Sequence, residues 1–165
     1  MERLDQIFHH PLYQSLLRKI EEYEVHRPFC LHDLNHFLDT ARIMWILNLE
    51  EKNEFEKEMI YATALLHDLG RAAQYEHEIP HELAGKEIAL KILGDCGFLE
   101  EEIDWICYAI SSHRKPIEGE GTESPKEELA FLLYRADKIS RKCYDCKAAK
   151  DCYWPMEKRN LTIEN

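Results

Sequence analysis

Apolar residues recur at intervals of three and four along nearly the whole chain, and alternating β-branched stretches are missing, so the pattern predicts an all-α protein. Pro11 opens a first helix to about Glu24, with Leu12, Leu16, Leu17 and Ile20 on one side. Arg27-Pro28 interrupts it. From about Asp33 to Asn48 the run HFLDTARIMWILNL is apolar nearly all round, as expected of a helix crossing a core. Asn53 is placed to cap the next helix, which carries Phe55, Met59, Ala62 and Leu66, stops at Gly70, and holds His67 and Asp68 in its last turn. A polar connection follows. Pro80 then starts a helix through Leu83, Ile88 and Leu93 that Gly94 and Gly97 end, and another is expected from Leu99 to Ser112. KPIEGEGTESP reads as a loop. Ser124-Pro125 begins a last long helix with Leu129, Leu132, Leu133 and Ala136 inside, which delivers Asp137. The tail from about Lys142 is cysteine-rich, then polar, and is expected to be less ordered.

Composition narrows this picture. At 165 residues, 45% of them hydrophobic, one domain with a real core is expected, with a cysteine-rich extension over 142–165. No apolar run reaches the roughly 18 residues of a membrane-spanning helix, and MERLDQIFHH does not read as a secretory signal, so a cytoplasmic location without membrane attachment is expected. The net charge of −11 argues against long nucleic acid as a partner, because an acidic surface repels the phosphate backbone. A single small phosphate is different. A few cationic side chains aimed into a cleft hold it whatever the overall charge.

The candidate chemistry lies in histidine and aspartate. His36 sits early in one predicted helix, His67-Asp68 near the end of a second and Asp137 late in a third. Imidazole nitrogen and carboxylate oxygen together suit Mn, Fe, Co, Ni or Zn, and helical bundles build metal sites from facing helices. His32, four residues before His36, shares its helix face and is a rival first ligand. The apolar pattern after His36 favours His36. His9, His10, His26 and His77 read as surface residues.

The segments NHFLDTARI at His36, ALLHDLGR at His67-Asp68 and YRADKISR at Asp137 resemble the HD superfamily of metal-dependent phosphohydrolases, over about residues 30–141. HELAGKEIALKIL, opening with His81, and AISSHRKP, with His113, resemble the segments that supply a second metal in the longer form of that pattern. The resemblance implies an HD-like bundle of about six to seven helices. It implies a first metal held by His36, His67, Asp68 and Asp137, with Asp68 bridging to a second on His81 and His113. It also implies hydrolysis of a small phosphate ester, a nucleotide being the favoured class, by metal-activated water. Arg71 stands where the superfamily often has a basic residue, and Arg114, Lys115, Lys138 and Arg141 flank the other segments as candidate phosphate clamps.

Two departures limit the transfer. HDLGR lacks the acidic residue that some superfamily nucleotidases and the alarmone hydrolases carry soon after the pair, and position 114 is Arg, not the second histidine of cyclic-dinucleotide hydrolases. Neither substrate class is supported. Two other readings stay open: a di-iron oxygenase built on the same ligands, and a non-catalytic sensor of metal or redox state.

The six cysteines add a second constellation. Cys143-x2-Cys146-x5-Cys152 follows the Asp137 helix at a spacing that suits zinc or an iron–sulfur cluster. Cys30 precedes His36 by six residues and Cys143 follows Asp137 by six. If His36 and Asp137 share one metal from roughly antiparallel helices, both cysteines lie about 9 Å along on the same side. Cys30 is therefore the candidate fourth ligand.

Overall fold

The computed structural model describes residues 1–114 and 124–163. Lys115 and nearly all of the loop expected ahead of Pro125 lie outside the described residues. The chain forms α1 (Glu2–His9), α2 (Pro11–Glu24), α3 (Leu34–Glu50), α4 (Lys57–Leu66), α5 (Arg71–His77), α6 (His81–Asp95), α7 (Glu100–Ser112) and α8 (Pro125–Ile139). Two 3-10 turns follow, at Cys143–Asp145 and Met156–Lys158. Among the described residues there is no strand, and no helix is long and apolar enough to cross a membrane.

Helix starts follow local chemistry. The Asp33 carboxylate accepts the His36 backbone N–H at 2.9 Å and opens α3. Pro11 and Pro125 occupy first-turn positions, where a missing N–H costs nothing. The predicted cap at Asn53 is not used. Lys52 turns left-handed at φ 59°, Asn53 donates its N–H back to the Asn48 carbonyl, and α4 starts only at Lys57.

Helices α3, α4, α7 and α8 pack on one another, α6 lies on α7, α5 sits between α2 and α6, and α1 braces α2 and α4. Phe37, Met44, Ile60, Leu66, Ile110 and Leu133 are fully buried between them. Each such side chain contributes about 1.5–3 kcal/mol by leaving water. Expectation and structure differ on two faces. Helix α3 is not wrapped on all sides, because it packs mainly on α4 and α8 and leaves Ile46 and Leu49 exposed. Leu83 of α6 is also exposed, since the face of that helix turned inward carries His81, Gly85, Ala89 and Ile92.

Three further differences bear on function. Helix α4 ends at Leu66, not Gly70, and residues 67–70 form a corner in which Leu69 N–H bonds the Leu66 carbonyl and Arg71 N–H the Asp68 carbonyl. The predicted polar connection after Gly70 contains a helix, α5. The tail is tied to the bundle. Arg159 donates to the carbonyls of Trp154, Ala149 and Cys152. The Asn160 amide lies 2.8–3.0 Å from the carbonyls of Lys138, Ile139 and Arg141 at the end of α8, where carbonyls lack a partner within the helix, and the Lys138 carbonyl also accepts from Arg141 Nε.

Candidate metal centre

The ends of five helices meet at one point: the start of α3 with His36, the corner after α4 with His67 and Asp68, the start of α6 with His81, and the ends of α7 and α8 with His113 and Asp137. In a regular helix adjacent residues point about 100° apart. The corner after Leu66 turns both His67 and Asp68 inward, at 0% and 1% exposure. Gly70 makes that corner possible, for a Cβ there would lie 2.0 Å from the His81 carbonyl oxygen and 2.6 Å from the Gly85 nitrogen.

Two sets of ligand atoms close to within 4.8 Å: His36, His67, Asp68 and Asp137, and separately Asp68, His81 and His113. Asp68 belongs to both and divides its oxygens between them. Oδ2 lies 3.4 Å from His67 Nε2 and 3.8 Å from His36 Nε2, while Oδ1 lies 3.2 Å from His81 Nε2 and 3.7 Å from His113 Nε2. Asp137 Oδ1 is 3.6 Å from His36 Nε2.

The tautomers follow from the hydrogen-bond partners. Nδ1–H of His67 donates to the Ala64 carbonyl at 2.7 Å and that of His113 to the Ile110 carbonyl at 2.6 Å. His81 Nδ1–H faces Gln74 Oε1 at 2.9 Å, and His36 Nδ1–H faces the Ser140 hydroxyl at 3.3 Å, which itself donates to the Asp137 carbonyl. All four rings therefore turn an Nε2 lone pair toward the centre, the arrangement by which outer partners orient metal-binding imidazoles. Nε2 of His36 and of His67 is buried without a hydrogen-bond partner. His81 and His113 set their Nε2 atoms 3.3 Å apart, where two lone pairs repel unless a cation lies with them. These residues fit one or two divalent transition metals.

Electrostatics agree with that fit. Burial works against charge on Asp68, but Arg71, then His67 and His32, hold its carboxyl well below the usual carboxylate range. Asp137 is likewise held down against burial, chiefly by Lys138 and His67. Burial lowers the pKa of His67 and takes His81 down to about 3, which keeps both rings neutral and their lone pairs free. His36 moves the other way, because Asp68 and Asp137 outweigh its burial.

Not every predicted residue joins the site. Arg71 donates Nε–H to Asp68 Oδ1 at 3.1 Å and lines a cleft of about 120 Å³ above the centre, as do Lys138 and Arg141. Arg114 does not. It is exposed and lies 3.7 Å from Glu82, outside the residues lining that cleft. The sequence reading missed Arg27 and Arg159, which add two cations to the cleft wall. It also set aside His32, whose Nε2 lies 3.6 Å from Asp68 Oδ2 while Nδ1–H donates to Glu24, a buried carboxylate that also accepts from the Tyr75 hydroxyl. The i, i+4 spacing from His36 was the one signal for it. His9, His26 and His77 are exposed, whereas His10 caps α2 and reaches Asp95.

Fold and site together define an all-helical protein with a histidine–aspartate centre of metal-binding type at converging helix ends. The HD domain family matches residues 33–142, and the chain belongs to that family. An uncharacterised protein of Clostridium beijerinckii is 43% identical over 163 residues, 99% of each chain. Ribonuclease Y of Nitratidesulfovibrio vulgaris (strain DP4) is 28% identical over 131 residues, which is 79% of this chain and 22% of the ribonuclease, so the chain matches about a fifth of that relative's length. The crystal structure of a predicted HD superfamily hydrolase from an uncultured Thermotogales bacterium aligns with TM-score 0.64 at 19% identity, covering 93% of this chain and 82% of the other. That likeness is one of fold.

Proposed function

We propose that the protein is a metal-dependent phosphohydrolase acting on a small phosphate ester of the nucleotide class. The observation that carries this reading is the convergence of four Nε2 lone pairs on an aspartate whose two oxygens serve two ligand sets, beneath a cleft walled by cations. Metal held there would supply Lewis acidity toward a phosphoryl oxygen and acidify water. The chain's own residues do the rest. Asp68, ionised by Arg71, spans both ligand sets, and His67 and His113 are locked by backbone carbonyls so that their rings cannot turn away. Arg71 and Lys138 offer charge-assisted hydrogen bonds to a phosphate lying over the centre. Five cations around one cleft, in a chain of net charge −11, favour a small anion over a long polyanion. The name of the ribonuclease Y relatives adds phosphodiesters to the substrates worth testing.

The test is anaerobic purification with metal analysis, then a screen of phosphate monoesters and diesters with Mn, Co, Ni and Fe. Turnover with at least one metal, abolished in His67→Ala, is expected. No turnover with any of them would refute the assignment.

A further inference from the structure

The four cysteines that the hydrolytic reading leaves idle converge on the wall of the same cleft. Cys30 arrives from the segment before α3, Cys143 and Cys146 from the 3-10 turn after α8, and Cys152 from the loop that Arg159 holds. None forms a disulfide. The Cys146 N–H bonds the Cys143 carbonyl at 3.3 Å, the Ala149 N–H bonds the Cys146 carbonyl at 3.2 Å, and Arg27 donates to the Cys30 carbonyl at 2.9 Å. The backbone around each thiol is therefore fixed. Phe29 meets Tyr153 edge to face at 5.6 Å, and Arg141 lies over the Trp154 ring at 4.5 Å, so aromatic groups share the cleft wall with the cysteines, of which Cys30 is exposed and the other three half-buried.

Three observations say what fills the space between them. Arg141 Nη1 is buried with no hydrogen-bond partner, a cation lacking an acceptor in a cleft lined by thiols, which calls for an anionic group. Cys30 lines the same cleft wall as Cys143, Cys146 and Cys152, although it comes from the other end of the sequence. The third is spacing. A tetrahedral zinc ion, with Zn–S near 2.3 Å, needs its thiolates about 3.8 Å apart. Among the described residues the sets of three or more ligand atoms that close to within 4.8 Å are the two histidine–aspartate sets, so no three of these sulfurs are mutually that near. Wider spacing suits a cluster that places several irons and sulfides between its cysteines.

We propose that Cys30, Cys143, Cys146 and Cys152 bind a [4Fe–4S] cluster, with the Arg141 guanidinium balancing its net negative charge. With all four irons held by cysteine, the cluster has no open position for substrate. Its role is to fasten the tail to the ends of α3 and α8, which carry His36 and Asp137. A preassembled cluster is taken up by ligand exchange: each thiol gives its proton to solvent as its sulfur binds one iron and displaces the ligand that iron carried before, and the iron oxidation states do not change.

The experiment uses the full chain purified without oxygen and assayed for iron, zinc and acid-labile sulfide. About four sulfides per chain, with matching iron and a broad visible charge-transfer absorption, are expected. The sulfide should persist in His67→Ala, which empties only the other site, and should be lost in Cys143→Ser and Cys30→Ser. If the serine variants do not fold, the wild-type sulfide content decides by itself. Iron without sulfide, zinc lost on Cys143→Ser, or no metal beyond that lost in His67→Ala would each overturn the proposal. None of these results bears on phosphate turnover, so the two readings fail separately.

Discussion

Asp68 is a buried carboxylate kept ionised by cations and imidazoles, and the function proposed for it depends on its two oxygens being equally available. Asp68→Asn removes the charge and half of the acceptor capacity, leaving Arg71 buried beside a neutral amide. Metal content should fall in both ligand sets, which metal titration against His113→Ala, a change confined to the second set, will resolve. Arg71 carries a different expectation. Its Nε bonds Asp68 but its guanidinium also lines the cleft, so Arg71→Ala should raise KM about tenfold or more while metal content stays near that of the unaltered chain. Loss of metal in that variant would make Arg71 a support of the centre instead of a phosphate clamp. Among the residues of the centre, the candidate ligands were legible because each sits in a motif segment. Gln74, Ser140 and Glu24, which orient His81, His36 and His32, were not, because a hydrogen bond to a ring nitrogen depends on where separate helices cross.

At the scale of elements, the 67–70 corner crosses the start of α6 with no room for a side chain at Gly70. Gly70→Ala would push a methyl group into the His81 carbonyl and should cost about 2–4 kcal/mol, displacing His81 as it does so. Gly94, near the end of α6, has open space where its Cβ would lie, and Gly94→Ala should leave stability unchanged or raise it by about 0.5–1 kcal/mol. Thermal unfolding of the two variants separates a packing requirement from the ordinary cost of glycine in a helix. Sequence alone did not distinguish them, since both read as helix terminators.

Helix α1 is held by charge. Arg3 bonds Glu58 of α4 at 2.8 Å and both oxygens of Glu102 at 2.7 and 3.0 Å, and its guanidinium lies over the Phe98 ring at 4.0 Å. Arg3→Ala should destabilise the protein by about 1–2 kcal/mol at neutral pH. Arg3 lowers the pKa of both Glu58 and Glu102, so their contribution is complete above the unfolded carboxyl value of about 4.3 and is lost as pH falls through the lower folded values. Unfolding midpoints of the two proteins should therefore converge on acidification below about pH 4. A difference that persists there would assign the effect to packing on Phe98.

For the molecule as a whole, the tail is a structural part of the site wall. Asn160→Ala strips the donor from three carbonyls at the end of α8, one turn beyond Asp137, and should cost about 1–2 kcal/mol. Metal affinity of the first ligand set should weaken with it, which competition with a chelator will measure. A tail with few apolar residues reads as loose, and its order comes from Arg159 and Asn160 meeting carbonyls contributed by residues 5 to 22 positions earlier.

Fold class and the candidate ligand residues were legible in the sequence itself, because helical periodicity and the residues around each candidate are local properties that survive without a partner element. Tertiary structure alone decided that α4 stops short of Gly70, that α5 is a helix, that Arg114 stays outside the cleft while Arg27 and Arg159 join it, and that His32 faces Asp68. The physical reason is the same in each case. These features depend on which backbone can approach which, and on where a buried donor finds its acceptor, and both are settled only when the helices pack.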